Sequence, residues 1–243
     1  MGIDYEKISK NYDSVRYANQ STISVFLQNL HITEATKVLD FGCGTGNYAD
    51  TLQKATHAQV FGVEPSDGMR EKAVSKNSSV VFSKGNHGHI PFEDNFFDFV
   101  YMTDVIHHIP DLGVMFRELF RVLKKEGFLC IVTQSHEQID KRFYVKYFPT
   151  TAIVDKHRYP DIPVIIGDAV KAGFSHIRTN VKEGGITKVQ SDFVELARAK
   201  GYSMFHLIPE EEYQKGLTEL EKDVMTDALF VPDSSGTLVW LGK

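Results

Sequence analysis

Three glycines at alternate positions, Gly42, Gly44 and Gly46, follow a short apolar run that ends at Phe41. Glycine has no Cβ, so a turn of this kind lets the backbone approach a ligand closely. The turn precedes a predicted helix, and a helix N-terminus attracts negatively charged groups. A dinucleotide-binding GxGxxG turn would need a further glycine at the position of Asn47. The tighter GxGxG pattern indicates a site for the amino-acid end of a nucleoside ligand, with a packing role for the glycines as the alternative.

A carboxylate stands at the end of the second apolar run. Glu64 lies twenty residues after Gly44, the spacing at which an acidic residue meets the ribose hydroxyls of a bound nucleotide. A carboxylate can accept hydrogen bonds from both hydroxyls, and it therefore selects a ribose without a phosphate. A solvated acidic strand end is the alternative. The combination of strand, glycine turn, helix, strand and terminal Glu64 favours the nucleoside site.

Three side chains capable of acid–base chemistry follow the fourth apolar run: Asp104, His107 and His108. Histidine titrates near neutral pH and can act as a general base. We regard His108 and Asp104 as candidate bases. The alternatives are that a histidine ring packs or caps a turn, and that Asp104 binds water or a backbone amide. No third ligand has the spacing of a metal site, so we expect no metal.

Apolar runs alternate with amphipathic stretches over most of the chain, and these must position the candidate residues. The runs predict strands at residues 37–41, 59–63, 80–83, 98–102 and 128–133. The stretches predict helices at residues 47–55, 66–75 and 114–123, the last of them ended by Gly127. The strands are apolar without alternation, as in parallel sheets that helices cover on both faces. The C-terminal third predicts further helices, and strands at residues 177–181 and 237–241.

The composition limits the classes of function. The 243 residues carry a formal net charge of −5 and are 42% hydrophobic, values typical of a globular protein. Net negative charge disfavours nucleic acid as a partner, because phosphate binding uses clustered Lys and Arg. Cys43 and Cys130 form no CxxC pair, which excludes a zinc ribbon and a dithiol redox motif. A charged N-terminus and the lack of a long apolar run predict a cytoplasmic protein with no membrane partner.

Four segments of the sequence resemble successive motifs of class I S-adenosylmethionine-dependent methyltransferases: VLDFGCGTGNYADTL, VFGVEPSDGM, GNHGHIPFEDNFFDFVYMTDVIHHI and LFRVLKKEGFLCI. The similar group is methyltransferase type 11, with the menaquinone and ubiquinone C-methyltransferases. The resemblance implies a Rossmann-like α/β fold with a seven-stranded, mostly parallel sheet in the order 3-2-1-4-5-7-6. Helices cover both faces, and a helical, aromatic lid is expected. It implies a single domain over residues 1–243, with an N-terminal cover (1–36), a cofactor-binding core (37–135) and a lid, acceptor region and closing strands (136–243).

The resemblance also implies which residues bind the cofactor S-adenosylmethionine, whose product is S-adenosylhomocysteine. These are Tyr12, Arg16, Asp40, Gly42, Cys43, Gly44, Glu64, Pro65, Ser66, Met69, Asn86, His87 and Thr103. Asp40 would support the ammonium group of the ligand, and Glu64 would hold the ribose. Asn86 stands where relatives often carry an Asp near the adenine amino group. Arg16 would pair with the ligand carboxylate, or is a solvated helix charge.

The implied reaction is in-line methyl transfer to an O, N, C or S atom of a small-molecule acceptor. We expect His107, Arg158 and Tyr159 to contact that acceptor, since residues 141–160 combine aromatic rings with cations. A core role for these rings is the alternative. Other open functions are an RNA or protein methyltransferase, a nicotinamide oxidoreductase, and a non-catalytic regulatory protein that binds S-adenosylmethionine. We expect a monomer or a homodimer.

Overall fold

The computed structural model describes residues 18–76, 79–182, 185–189, 191–226, 229–232 and 236–243. The predictions for Tyr12 and Arg16 lie outside the described residues. The chain divides into two compact units. The first unit continues to Thr133 and resumes over Pro163–Thr179 and Val239–Lys243, and the second unit comprises Gln134–Ile162 and Asn180–Leu238. The expectation of one domain stays a prediction.

Strands and helices alternate through the first half of the described chain. In order they are α1 (Gln20–Asn29), β1 (Lys37–Phe41), α2 (Asn47–Thr56), β2 (Gln59–Glu64), α3 (Asp67–Lys76), β3 (Val81–Lys84), β4 (Phe97–Thr103), α4 (Leu112–Val122) and β5 (Leu123–Thr133). The elements that follow are α5 (His136–Asp140), α6 (Thr150–Arg158), α7 (Ile162–Lys171), β6 (Ser175–Lys182), β7 (Ile186–Lys188), α8 (Ser191–Arg198), α9 (Glu210–Thr226), β8 (Phe230–Pro232) and β9 (Gly236–Gly242). No helix in the described ranges is long and apolar enough to cross a membrane.

The large sheet has the order β3-β2-β1-β4-β5-β9-β6, and β7 pairs separately with β8. Wherever two of the strands β1 to β5 are neighbours, they run parallel. The Lys243 N–H donates to the Gly127 carbonyl at 3.0 Å, so the end of β9 lies beside the start of β5 and the two strands run antiparallel. Counting the seven strands of this sheet along the chain gives the order 3-2-1-4-5-7-6. The predicted Rossmann-like fold and strand order are confirmed.

Helix α4 shows how the local sequence builds this fold. The Asp111 side chain accepts a hydrogen bond from the Val114 N–H at 2.9 Å and so caps the first turn. Apolar residues then recur at helical spacing, and Met115, Phe116 and Leu119 are fully buried. Helix α4 places its apolar face on the sheet, as the periodicity predicts.

One predicted boundary is wrong. Gly127 does not end a helix, because α4 ends at Val122 and β5 begins at the next residue. Gly127 lies inside β5, where the pairing with β4 is irregular. A Cβ at Gly127 would lie 2.9 Å from the Lys124 carbonyl oxygen. The glycine therefore serves a strand irregularity, a role for which the sequence GFLCI gives no distinct signal.

Trp240 of β9 lies in the core of the first unit. It is fully buried, and its ring stacks on Phe99 of β4 with centroids 5.9 Å apart. Phe26 of α1 packs edge-on against the same Trp240 ring at 6.1 Å. The first unit thus has a core in which one helix and two strands meet through aromatic rings.

The second unit has an aromatic core of its own. Tyr147, Phe148, Phe205 and Tyr213 belong to this cluster, and Phe143 and Tyr144 pack against it. Phe148 and Phe205 are fully buried. Several aromatic residues of segment 141–160 therefore serve the core of this unit, which was the alternative to a lid.

Candidate active site

The glycine turn, residues 42–46, follows β1 and lies beside the ends of β2 and β4. The N–H groups of Gly42 and Cys43 donate to the Val63 carbonyl at 2.8 and 3.1 Å, which ties the turn to β2. Gly42, Gly44 and Gly46 have φ values of 76°, 54° and 78°, in the left-handed region that favours glycine. A Cβ at Gly42 would lie 2.6 Å from the side chain of Val105, just beyond β4. The glycines are thus required by the backbone and by close packing.

Glu64 lies against this turn. Its carboxylate accepts hydrogen bonds from the Gly44 N–H and the Ser66 N–H, each at 3.0 Å. The side chain is fixed in place and is mostly buried. A carboxylate has about four acceptor positions, so a side chain of this type can accept from backbone N–H groups and from ribose hydroxyls. The spacing of twenty residues noted in the sequence is realised as direct contact, and ribose binding by Glu64 stays a prediction.

Asp40, at the fourth position of β1, is a buried acid beside the turn. It is 2% exposed, and within the described part of the chain its Oδ2 atom has no hydrogen-bond partner. Burial raises its pKa to about 7; the Tyr101 hydroxyl lowers the pKa, the Glu64 charge raises it, and the Ala49 N–H lowers it. No cationic side chain is among these groups. Such a site fits a ligand that brings a positive charge.

Two tyrosines that the sequence analysis missed lie beside Asp40. Tyr101 of β4 is paired in register with Asp40, and its hydroxyl is buried and has no partner among the residues described. Burial raises the pKa of Tyr48 of α2, and a hydrogen bond to the backbone of Asn19 acts against this rise. The signal for Tyr101 was a hydroxyl inside the otherwise apolar run FVYM. Tyr48 lies within the helix predicted at residues 47–55, where no pattern distinguishes it.

Lys76 was also missed. Its Nζ donates to the Thr45 hydroxyl at 3.0 Å and to the Asn47 side-chain oxygen at 2.6 Å. Because it lies thirty residues along the chain, at the end of α3, no local pattern connects it to the glycine turn. Lys76 holds the side of the turn from which α2 begins.

The residues assigned to the adenine side lie after β2 and β3. Ser66 caps α3, with its hydroxyl accepting from the Met69 N–H at 3.3 Å, while Met69 is buried and Pro65 is exposed. The Asn86 side-chain oxygen accepts from the Gly88 N–H at 2.9 Å. That oxygen retains a second lone pair for an amino group. Roles for Pro65, Ser66, Met69, Asn86 and for the half-buried His87 stay predictions.

The acid–base candidates follow Thr103, the last residue of β4. Asp104 has a φ of 56°, and its N–H donates to the Val132 carbonyl at 3.2 Å. His107 and His108 occupy the short helical turn Ile106–His108, with ring centroids 3.9 Å apart. His108 is exposed and His107 is half-buried. Since Val105 contacts Gly42, the fold brings this turn to the same edge of the sheet as the glycines.

The other two predicted acceptor contacts belong to the second unit. Arg158 donates to Asp155 at 3.0 Å and to the Ser203 hydroxyl at 3.1 Å. The Arg142 guanidinium also donates to Asp155 and lies 5.4 Å from the Tyr159 ring centroid. Arg158 and Tyr159 are therefore half-buried residues that contact the buried ion pair of Arg142 and Asp155. Their contact with an acceptor stays a prediction.

Comparison with known proteins agrees with this geometry. A family model described as a methyltransferase domain matches residues 39–131. A Staphylococcus aureus demethylmenaquinone methyltransferase is 28% identical over 226 residues, which cover 81% of this chain and 94% of the relative.

Two solved structures share the fold. An Anabaena variabilis protein, ascribed to methyl transfer in an antibiotic biosynthesis pathway, has a TM-score of 0.76 at 21% identity and covers 94% of this chain and 99% of its own. A Haemonchus contortus phosphoethanolamine N-methyltransferase, solved with S-adenosylhomocysteine, has a TM-score of 0.62 at 19% identity. The match covers 98% of this chain and 57% of that one.

Proposed function

We propose that this chain is a class I S-adenosylmethionine-dependent methyltransferase that binds its methyl donor at the glycine turn and methylates a small molecule. The observation that carries the proposal is the turn itself. Three left-handed glycines lie at the carboxyl end of β1, Glu64 is bonded to the backbone of Gly44, and the buried Asp40 has an oxygen without a partner within the described ranges. This arrangement fits the sugar and the cationic amino-acid end of S-adenosylmethionine.

The donor supplies a methyl group on a positively charged sulfur when it is bound. The backbone of Gly42, Cys43 and Gly44 would line its amino-acid part, and Glu64 would accept from the ribose hydroxyls. Asp40 would face the ammonium group. Holding donor and acceptor in line is itself worth about 7–11 kcal/mol of the barrier, so the protein needs few reactive groups.

The rim after β4 would receive the acceptor. Where the acceptor must lose a proton, His108 is the first candidate base. The residue is exposed and lies at the same edge of the sheet as the glycine turn. Asp104 is the second candidate, and the neighbouring His107 ring would contact the acceptor. Carboxyl ends of parallel strands are where α/β proteins place such sites.

The acceptor that we propose is a small, quinone-like molecule in its reduced form. The name of the Staphylococcus aureus relative supports a demethylated quinone as the first compound to test. The net charge of −5 argues against a nucleic-acid substrate.

The experiment has a binding step and a transfer step. Calorimetry with S-adenosylmethionine, S-adenosylhomocysteine and NADH should show binding of the first two alone. A reduced demethylnaphthoquinone, a catechol and a primary amine are then incubated separately with S-adenosylmethionine. The acceptor that is methylated should give a product heavier by one CH₂ group. Binding of NADH in place of the other two ligands would contradict the proposal.

A variant pair tests the base. His108→Gln should lower the rate about 100-fold or more with an acceptor that must lose a proton, since general-base catalysis typically contributes that much. Binding of S-adenosylhomocysteine should be unchanged. The matched control is His31→Gln, an exposed histidine of the same unit that is not among the predicted site residues. Equal rates in both variants would remove His108 from this role.

A further inference from the structure

Asp40 and Tyr101 form a buried pair that the proposed reaction does not by itself explain. They lie side by side on β1 and β4, and Asp40 is 2% and Tyr101 0% exposed. Neither the Asp40 Oδ2 atom nor the Tyr101 hydroxyl has a hydrogen-bond partner that meets normal geometry in the described chain. A buried polar group left unsatisfied costs stability, and native proteins seldom retain two of them together without a use.

Among the residues that the structure describes, no cationic side chain is one of the groups that set the pKa of Asp40. Glu64 approaches from the end of β2, Cys43 from the glycine turn and Tyr48 from α2, and the Ala49 N–H donates to Asp40. Arg70 of α3 acts on Cys43 but is not among the groups that set the pKa of Asp40. An ionised Asp40 would therefore face the carboxylate of Glu64, and no cation among the groups that set the pKa of Asp40 would balance its charge. A proton is the one balancing charge that the free protein can take from water.

We propose that Asp40 holds a proton next to the Tyr101 hydroxyl in the free protein, and that Tyr101 is a positioning residue that sets how readily Asp40 releases this proton when the donor's ammonium group binds. The inference rests on the proposed function. In the exchange, the O–H bond of the Asp40 carboxyl breaks, its proton passes to solvent, and the carboxylate pairs with the ligand ammonium. At Asp40, a neutral carboxyl group is thus replaced by a matched ion pair.

The direction of the Tyr101 effect follows from its chemistry. Burial raises the pKa of Asp40 to about 7, and the Tyr101 hydroxyl acts against this rise because it can donate to the carboxylate. Tyr101 stays protonated, since burial and the Asp40 charge raise its own pKa. Removing the hydroxyl leaves Asp40 protonated to a higher pH. A residue with a purely structural role would alter affinity at every pH equally.

The test is calorimetry with S-adenosylhomocysteine, which carries the ammonium group and no sulfonium. Titrations at pH 6 and pH 8, each in two buffers of different ionisation enthalpy, measure both the affinity and the protons released. For the unmodified protein we expect release of about one proton at pH 6 and an affinity about tenfold weaker than at pH 8. Methylthioadenosine, which lacks the amino-acid part, should bind with no proton release.

Variants separate the roles of the two residues. Tyr101→Phe should increase the difference in affinity between pH 6 and pH 8 to several tens of fold, because Asp40 then stays protonated to higher pH. Asp40→Asn should bind S-adenosylhomocysteine weakly and equally at both pH values. Thr133→Val is the matched control, since Thr133 is another buried hydroxyl without a partner in the described residues, on the neighbouring β5. It should keep the unmodified pH profile.

The outcomes are distinct. Binding of S-adenosylhomocysteine without proton release at pH 6 would overturn the inference and leave the proposed function intact. A Tyr101→Phe variant with the unmodified pH profile would overturn the role of Tyr101. A folded protein that binds neither S-adenosylhomocysteine nor S-adenosylmethionine at any pH would overturn the proposed function as well.

Discussion

The two units treat a buried aspartate in opposite ways. In the second unit, Asp155 is 3% exposed and accepts hydrogen bonds from both Arg142 and Arg158. In the first unit, Asp40 is equally buried, yet one oxygen has no partner in the described chain. A buried charge that is fully paired serves the fold, whereas a buried acid with one oxygen left unpaired costs stability. This contrast favours the first unit as the place of the proposed site.

The largest effect is expected when the paired aspartate, Asp155, loses its charge. Asp155→Asn should destabilise the protein by about 3–5 kcal/mol, because it leaves two arginines without their buried counter-charge. Urea unfolding followed by circular dichroism measures this loss. Glu137→Gln is the control, since its pair with Lys141 is exposed on both sides and should contribute less than about 1 kcal/mol. Similar losses in the two variants would remove the contrast between paired and unpaired buried charges.

The next effect concerns the turn beside Asp40. Gly44→Val should weaken S-adenosylhomocysteine binding at least about 100-fold, or roughly 3 kcal/mol, because a β-branched residue is strained at positive φ. Circular dichroism should stay unchanged. At Gly167 of α7 a Cβ would meet no atom within 4 Å, so Gly167→Val should bind normally. Normal binding by Gly44→Val would show that the turn has a packing role alone.

The buried Asp40 predicts how the stability of the ligand-free protein depends on pH. The pKa of Asp40 is about 7 in the fold against 3.8 for a free aspartate, so between these values the folded chain keeps a proton that the unfolded chain releases. Stability of the ligand-free protein therefore falls as pH rises through this window and levels off above it. Relative to Asp40→Asn, the unmodified protein should lose about 2–3 kcal/mol between pH 5 and pH 8. Parallel urea curves for the two proteins across this range would contradict a protonated Asp40.

The smallest effect concerns how the ribose of the ligand is bound. Glu64→Ala should weaken S-adenosylhomocysteine binding by about 1–3 kcal/mol through the loss of charge-assisted bonds to the ribose. Glu71→Ala is the control, because Glu71 is an exposed residue of the adjacent helix α3. Competition with a 2′-deoxyadenosine analogue gives a second readout. Full discrimination against the deoxy analogue by the Glu64→Ala variant would assign ribose recognition elsewhere.

The fold and the cofactor turn could be predicted from the sequence because their signals are local. Gly42, Gly44 and Gly46 lie in one short stretch, and continuous apolar runs define the buried strands. The pairing of Tyr101 with Asp40 and of Lys76 with Thr45 could not be predicted, since each pair joins positions far apart in the chain. Gly127 was assigned wrongly because a glycine after a helix and a glycine in an irregular strand look alike in sequence. Pairing across strands decides such cases, and no single segment contains it.

The position of Trp240 has a consequence for how the protein can be observed. Strand β9 lies between β5 and β6, although it follows both in the chain, so its insertion depends on contacts of high sequence separation and is expected to be slow. Trp240 is the one tryptophan in the sequence, and it becomes stacked on Phe99 when β9 is in place. Its intrinsic fluorescence therefore reports the insertion of this strand without any introduced label. In stopped-flow refolding, the tryptophan signal should develop later than the far-ultraviolet circular dichroism of the helices.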